Sequence, residues 1–137
     1  MEHIVLDANV VAASFPEEDK FHQESQTYIE GLESGDYTIH LPMLVMVEVV
    51  SAIWRRTQKQ GMAFVTRART SLQGWESSGR LVPYPLDERR MALAMDAAIK
   101  YRLSGADSIV SFLADELDMP FVTFDSTLQR RVPRASA

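Results

Sequence analysis

A chain of 137 residues with 46% hydrophobic side chains is long enough to bury one core, and its composition excludes a disordered or low-complexity protein. The absence of cysteine excludes disulfides, thiolate metal sites and cysteine nucleophiles. A net charge of −5 is the wrong sign for gripping nucleic acid by bulk charge, although acids that hold a divalent cation would reverse the local sign.

The chain opens on "HIVLDANVV", which reads as a buried strand over residues 4–6 ending in Asp7. A helix is predicted over 19–34, with Phe21, Ser25, Tyr28, Ile29 and Leu32 on one face and Gly35 as its stop. "YTIHL" is a second strand, and Pro42 sits where a first helical residue would. Helices follow over 42–59 and 60–78, the second carrying Val65, Ala68, Leu72 and Trp75 at helical spacing and ending at Gly79. "RLVPY" is a short strand, marked as an edge by Pro83. Asp87 can cap a helix running to Arg102, and another runs from Gly105 through Leu117 with Ile109, Val110, Leu113 and Leu117 inward. "FVTF" is the last strand, Asp125 follows it, and residues 133–137 are expected to form a loose tail beyond a single domain of residues 1–132.

The longest apolar segment, "LPMLVMVEVVSAIW", is interrupted by Glu48 and too short for a membrane span. No basic lead with an apolar core and cleavage site opens the chain, so a cytoplasmic protein is expected. Short apolar strands alternating with helices imply parallel β-α-β units, an α/β fold with a sheet covered on both faces. Sites in such sheets form at the carboxyl ends of the strands.

Four acids stand out because none has a cation at helical spacing. Asp96 has Lys100 four residues on and reads as an ordinary helical ion pair. Glu48 instead has Leu44, Val45, Ser51 and Ala52 as neighbours, and Asp107 has Leu103, Ser104, Val110 and Ser111. Each acid has a plain explanation taken singly: Asp7 and Asp125 as turn or cap residues, Asp107 favoured by its helix dipole, Glu48 turned to solvent. Taken together they share a location. Asp7 and Asp125 end two strands, Asp107 opens the helix leading to Asp125, and Glu48 lies roughly 9 Å into its helix, within reach of the same edge. Bare, the four would raise one another's pKa, and a divalent metal resolves the conflict. Carboxylates without histidine or cysteine select Mg²⁺ or Mn²⁺, and His3, His22 and His40 form no ligand pair. Such ions activate water for phosphodiester hydrolysis, while the lack of a Gly-rich phosphate loop disfavours a nucleotide triphosphatase.

These residues resemble a known pattern. "VLDANV" with Asp7 and Asn9, Glu48 in "VMVEVVSAIWR", Asp107 in "LSGADSIVSFLADEL" and Asp125 in "MPFVTFDSTL" resemble the PIN domain, and more closely the VapC toxins of VapBC toxin–antitoxin pairs. The resemblance spans essentially the whole chain. It implies a three-layer α/β/α sandwich with a mainly parallel sheet, Mg²⁺- or Mn²⁺-dependent endoribonuclease activity, a homodimer and a cognate VapB-type antitoxin. It also implies Asp7 and Asp107 as principal metal ligands, Glu48 and Asp125 bound directly or through water, and Asn9 holding Asp7 or a ligand water. Ala8 stands where the family often has a hydroxyl residue, which removes that hydroxyl and not the metal site.

Of the basic groups, Arg130, Arg131 and Arg134 follow Asp125 and are the candidates for RNA phosphate contacts. Asp115 and Glu116 read as solvated. Two alternatives remain: a non-catalytic interaction module, and an aspartate-dependent phosphoryl-transfer domain. The second is disfavoured because Asn9 cannot supply a proton-transfer carboxylate and "FVTFDSTLQ" lacks a lysine.

Overall fold

A computed structural model of the chain describes residues 2–137. Strand β1 (Glu2–Leu6) leads through Asp7 into a short helix α1 (Ala8–Ala12), then α2 (His22–Ser34) and β2 (Tyr37–Pro42). Helix α3 (Met43–Thr57), one 3₁₀ turn (Gln58–Gln60) and α4 (Ala63–Ser77) precede β3 (Leu81–Tyr84). The remainder is α5 (Glu88–Tyr101), α6 (Gly105–Leu117), β4 (Phe121–Val122), α7 (Ser126–Arg131) and β5 (Ala135–Ser136). The strands form one parallel sheet in the order β3-β2-β1-β4-β5. Right-handed crossovers place α1–α4 on one face and α5–α7 on the other, the expected three layers. Among the described residues, no helix is long and apolar enough to cross a membrane.

The core lies where the central strands meet the helices. Val5, Leu6, Ile39, Leu41 and Phe121 from the sheet are fully buried with Val10, Val11, Val49 and Ile53 from the helices. Fully burying side chains of this kind contributes about 1.5–3 kcal/mol each. Ser25 ties α2 to α1 through a hydroxyl that donates to the Val10 carbonyl. A Cβ at Gly31 would meet the Tyr37 ring at 2.2 Å, so only glycine lets α2 lie this close to β2.

Several expectations needed correction. No element is predicted directly after Asp7, where α1 forms; its Ala8, Val10, Val11 and Ala12 are all buried and leave no amphipathic period to read. Helix α2 starts at His22 and not at 19, since the Asp19 carboxylate accepts from the Phe21 N–H at 2.9 Å and closes a turn first. Pro42 ends β2 and caps α3 from outside. Residues beyond Pro133, expected to be loose, add β5, with Ala135 opposite Phe121 and Ser136 opposite Val122. Lys100 makes no ion pair with Asp96 among the described residues; its ammonium lies 5.2 Å from the Tyr101 ring centre instead. Pro83 does mark an edge strand, and Asp87 does cap α5 by accepting from the Arg90 N–H at 2.8 Å.

Candidate active site

Strands β1 and β4 are neighbours, yet the chain leaves β1 toward β2 and leaves β4 toward β5. That divergence opens a crevice between their carboxyl ends, the place where open parallel sheets bind ligands. Asp7 follows β1 there, and Thr123, Phe124 and Asp125 follow β4.

Asp7 is the N-cap of α1 and is 8% exposed. The Ala8 N–H donates to its Oδ1 at 2.8 Å and the Thr123 hydroxyl donates to its Oδ2 at 2.7 Å. Burial outweighs both bonds, and the carboxyl pKa is pushed up from 3.8 to about 6, with Asp107 and Asp125 adding to the rise. Asp107 is half-buried in the first turn of α6, and burial raises its pKa, with the charge of Asp125 adding and the Ser104 hydroxyl opposing. Glu48 on α3 is raised by burial first, then by Asp7 and Asp107, against the pull of Arg55. Asp125 is the N-cap of α7. Its Oδ1 accepts from the Thr127 and Leu128 N–H groups at 2.8 and 3.2 Å, and Oδ2 takes no hydrogen bond among the described residues.

The capping explanation therefore holds for Asp7 and Asp125, and it is incomplete. Among the described residues no ion pair reaches any of the four acids. Asp7 feels Asp107 and Asp125, and Glu48 feels Asp7 and Asp107, so their charges are felt in one region. They do not form a finished cage: among the described residues, no three acids or histidines stand together as a group that could hold a metal ion. By chemistry the donor set fits a hard divalent ion, being all carboxylate, partly desolvated and without an ion pair among the described residues.

Thr123, which sequence reasoning passed over, is the hub of the crevice. Its fully buried hydroxyl donates to Asp7 and accepts from the Asp125 N–H at 3.1 Å and from Asn9 Nδ2 at 3.3 Å. Asn9 acts one step away from its expected role. It does not hydrogen-bond Asp7 but braces Thr123, and its Oδ1 accepts from the Phe124 N–H at 3.2 Å.

The arginines divide. Arg134 is committed to structure: Nε donates to Asp115 at 2.7 Å, Nη1 reaches Asp118 at 3.4 Å, and Nη1 also donates to the Met119 carbonyl at 3.0 Å. Arg131 donates to the Arg102 carbonyl at 2.6 Å and Arg130 to the Thr127 hydroxyl at 3.4 Å; neither pairs with an acid among the described residues. Arg134→Ala is expected to cost about 1 kcal/mol in urea unfolding. Asp115 and Glu116, read as solvated, are held instead, Asp115 by Arg134 and Glu116 by Arg89 and Arg90 at 2.8 and 3.2 Å. His3 and His40 stand 2.8 Å apart and His40 reaches the Tyr84 hydroxyl at 2.8 Å, a structural chain with no acid in it.

The model of the PIN domain matches residues 4–134. The chain belongs to the PIN domain family. Its fold is similar to that of a toxin–antitoxin complex from Klebsiella pneumoniae, at 14% identity and a TM-score of 0.68, covering 98% of this chain and 96% of that one. It is also similar to PAE2754 from Pyrobaculum aerophilum, at 20% identity and a TM-score of 0.64, covering 98% and 82%. A third likeness is to VapBC2 from Rickettsia felis, bound to a DNA fragment from its promoter, at 14% identity and a TM-score of 0.64, covering 97% and 95%. No curated protein matches the sequence significantly. At these identities the likeness concerns the PIN fold alone.

Proposed function

We propose that the protein is a divalent-metal-dependent endoribonuclease of the cytoplasm and the toxin of a type II toxin–antitoxin pair. The observation that carries the reading is Asp7: a buried carboxylate with both oxygens held in place, its pKa raised, sharing its surroundings with further acids and with no cation paired to it. PIN domains are generally nucleases, and the structures similar in fold include toxin–antitoxin complexes. Asp7 and Asp107 would hold a Mg²⁺ or Mn²⁺ ion principally, with Glu48 and Asp125 bound directly or through water. The ion, when bound, supplies an activated water and stabilises charge on a phosphodiester. The residues of the chain orient it: Thr123 fixes the rotamer of Asp7, and Asn9 fixes Thr123.

A VapB-type antitoxin and a second copy of the chain are the proposed protein partners. An open apolar groove of about 630 Å³ between α3 and α4, lined by Val47, Trp54, Met62 and Leu72, suits the apolar face of a partner. Met91, Met95 and Ile99 are exposed at four-residue spacing along α5 and offer a stripe for a homodimer.

Cleavage of total RNA should require added Mg²⁺ or Mn²⁺ and stop in EDTA; cleavage that persists in EDTA would refute the reading. One observation favours the second reading, a non-catalytic module: the acids have not already gathered as a ligand group. Calorimetric titration with Mn²⁺ separates the two, because a vestigial site would bind weakly or not at all.

A further inference from the structure

Beside the acids lies a cavity of about 370 Å³ whose aromatic and basic wall the metal chemistry does not use. Asn9 and Asp125 form one part of its wall, so it opens onto the candidate centre. Phe21 and Phe124 form another. Their rings are stacked, with centroids 4.7 Å apart and an angle of 22° between planes. Both are only partly buried, unlike the fully buried Phe121 of the core. Lys20 is exposed and holds its ammonium 4.9 Å from the centre of the Phe21 ring. Arg56 also lines the cavity, but Asp19 pairs with it and neutralises its charge. Lys20 is therefore the cation of this wall that no acid pairs.

We propose that Phe21 and Phe124 form a stacking subsite for one unpaired nucleobase of the RNA, with Lys20 contacting an adjoining phosphate. The inference rests on the RNA-cleaving reading and adds to it the residues that seat the strand. A chain of net charge −5 has little bulk attraction for a polyanion, so local contacts must supply affinity. Aromatic faces do so for any base, provided the base is free of its own duplex stack. The cavity size falls in the range of ligand sites, ~300–1,000 Å³. The placement is also coupled to the centre. The Phe124 N–H donates to Asn9 Oδ1, and Asn9 braces the Thr123 hydroxyl that holds Asp7. A base seated on Phe124 is thus registered to the carboxylates by the same hydrogen bonds that fix them.

The test uses the full chain and a short single-stranded oligoribonucleotide carrying 2-aminopurine, with binding read in EDTA and cleavage read with Mn²⁺. Phe21→Leu and Phe124→Leu keep an apolar side chain and remove the aromatic face. Each should weaken binding by about 5- to 100-fold and lower kcat/KM, whereas Phe21→Tyr restores both. An abasic nucleotide at the seated position should reproduce the loss and add nothing to Phe124→Leu. Lys20→Gln should reduce the salt slope of binding by about one charge. Leucine variants with unchanged melting that bind and cleave like the parent would overturn the subsite and leave the nuclease reading intact. A parent chain that binds the oligonucleotide with 2-aminopurine stacked, yet never cleaves with any metal, would sink the nuclease reading and uphold the subsite.

Discussion

Asp7→Asn should abolish metal-dependent RNA cleavage and, in the same protein, raise the stability of the metal-free fold above pH 6. The loss should reach at least ~100-fold, since removing a residue that merely orients a metal ligand already costs ~10–100-fold. The gain follows from linkage. Asp7 titrates near 3.8 in the unfolded chain and at about 6 when folded. Between those values the folded state keeps a proton that the unfolded state has lost, so stability falls as pH rises through this window. Above it the full cost is in place, about 3 kcal/mol. Asparagine carries no charge to bury, but its single amide oxygen can accept from only one of the Ala8 N–H and the Thr123 hydroxyl, which returns about 1 kcal/mol. The net gain at pH 8 should be about 1–2 kcal/mol, shrinking toward zero as pH falls to about 4. Urea unfolding at the two pH values measures it. An asparagine variant less stable than the parent at pH 8 would mean that Asp7 is not under strain. Added Mn²⁺ should reverse the order, stabilising the parent and not the variant.

Thr123→Val should be the most damaging substitution that leaves every carboxylate in place. The side chains are nearly isosteric, so the effect isolates one hydroxyl. Its removal takes the partner from three groups: Asp7 Oδ2 on a buried side chain, and the Asp125 N–H and Asn9 Nδ2 of partly buried residues. Such groups cost about 1–3 kcal/mol each and do not add fully, so a loss of about 2–4 kcal/mol is expected. The hydroxyl also favours the ionised form of Asp7, and without it the carboxyl holds its proton to higher pH. A metal must displace that proton, so the acid limb of the cleavage profile should move up in pH. Thr123→Ser should preserve both stability and profile. A valine variant within ~0.5 kcal/mol of the parent, with its acid limb unmoved, would show that the hub is incidental.

The acids were readable from the sequence because each broke a local rule: a carboxylate among apolar helical neighbours, or at the end of an apolar strand, without a cation nearby. That Asp7 feels Asp107 and Asp125, and Glu48 feels Asp7 and Asp107, agrees with the geometry of parallel sheets, although the four are not gathered as one ligand group among the described residues. Thr123 was not readable, since a threonine at a strand end is ordinary and only the fold brings it to Asp7 across 116 positions of sequence. Helix α1 was hidden by burial on every side, and periodicity needs an exposed face to be visible. The strand at Ala135–Ser136 was hidden by brevity. Two residues carry no alternation, and what holds them in place is pairing with β4, where the Thr123 N–H donates to the Ser136 carbonyl at 2.9 Å, together with Arg134 anchored to Asp115, Asp118 and Met119. The same anchoring removes Arg134 from the set of charges a polyanion could use, which no local pattern around it discloses.

The sheet has two outer margins, and both are poor templates for another strand. On one side Pro83 offers no N–H within a four-residue β3; on the other β5 exposes only two residues. Growth by β-augmentation is disfavoured at each end. The helical layers are thereby the better surfaces for a companion polypeptide, and edge-to-edge polymerisation is discouraged when copies accumulate.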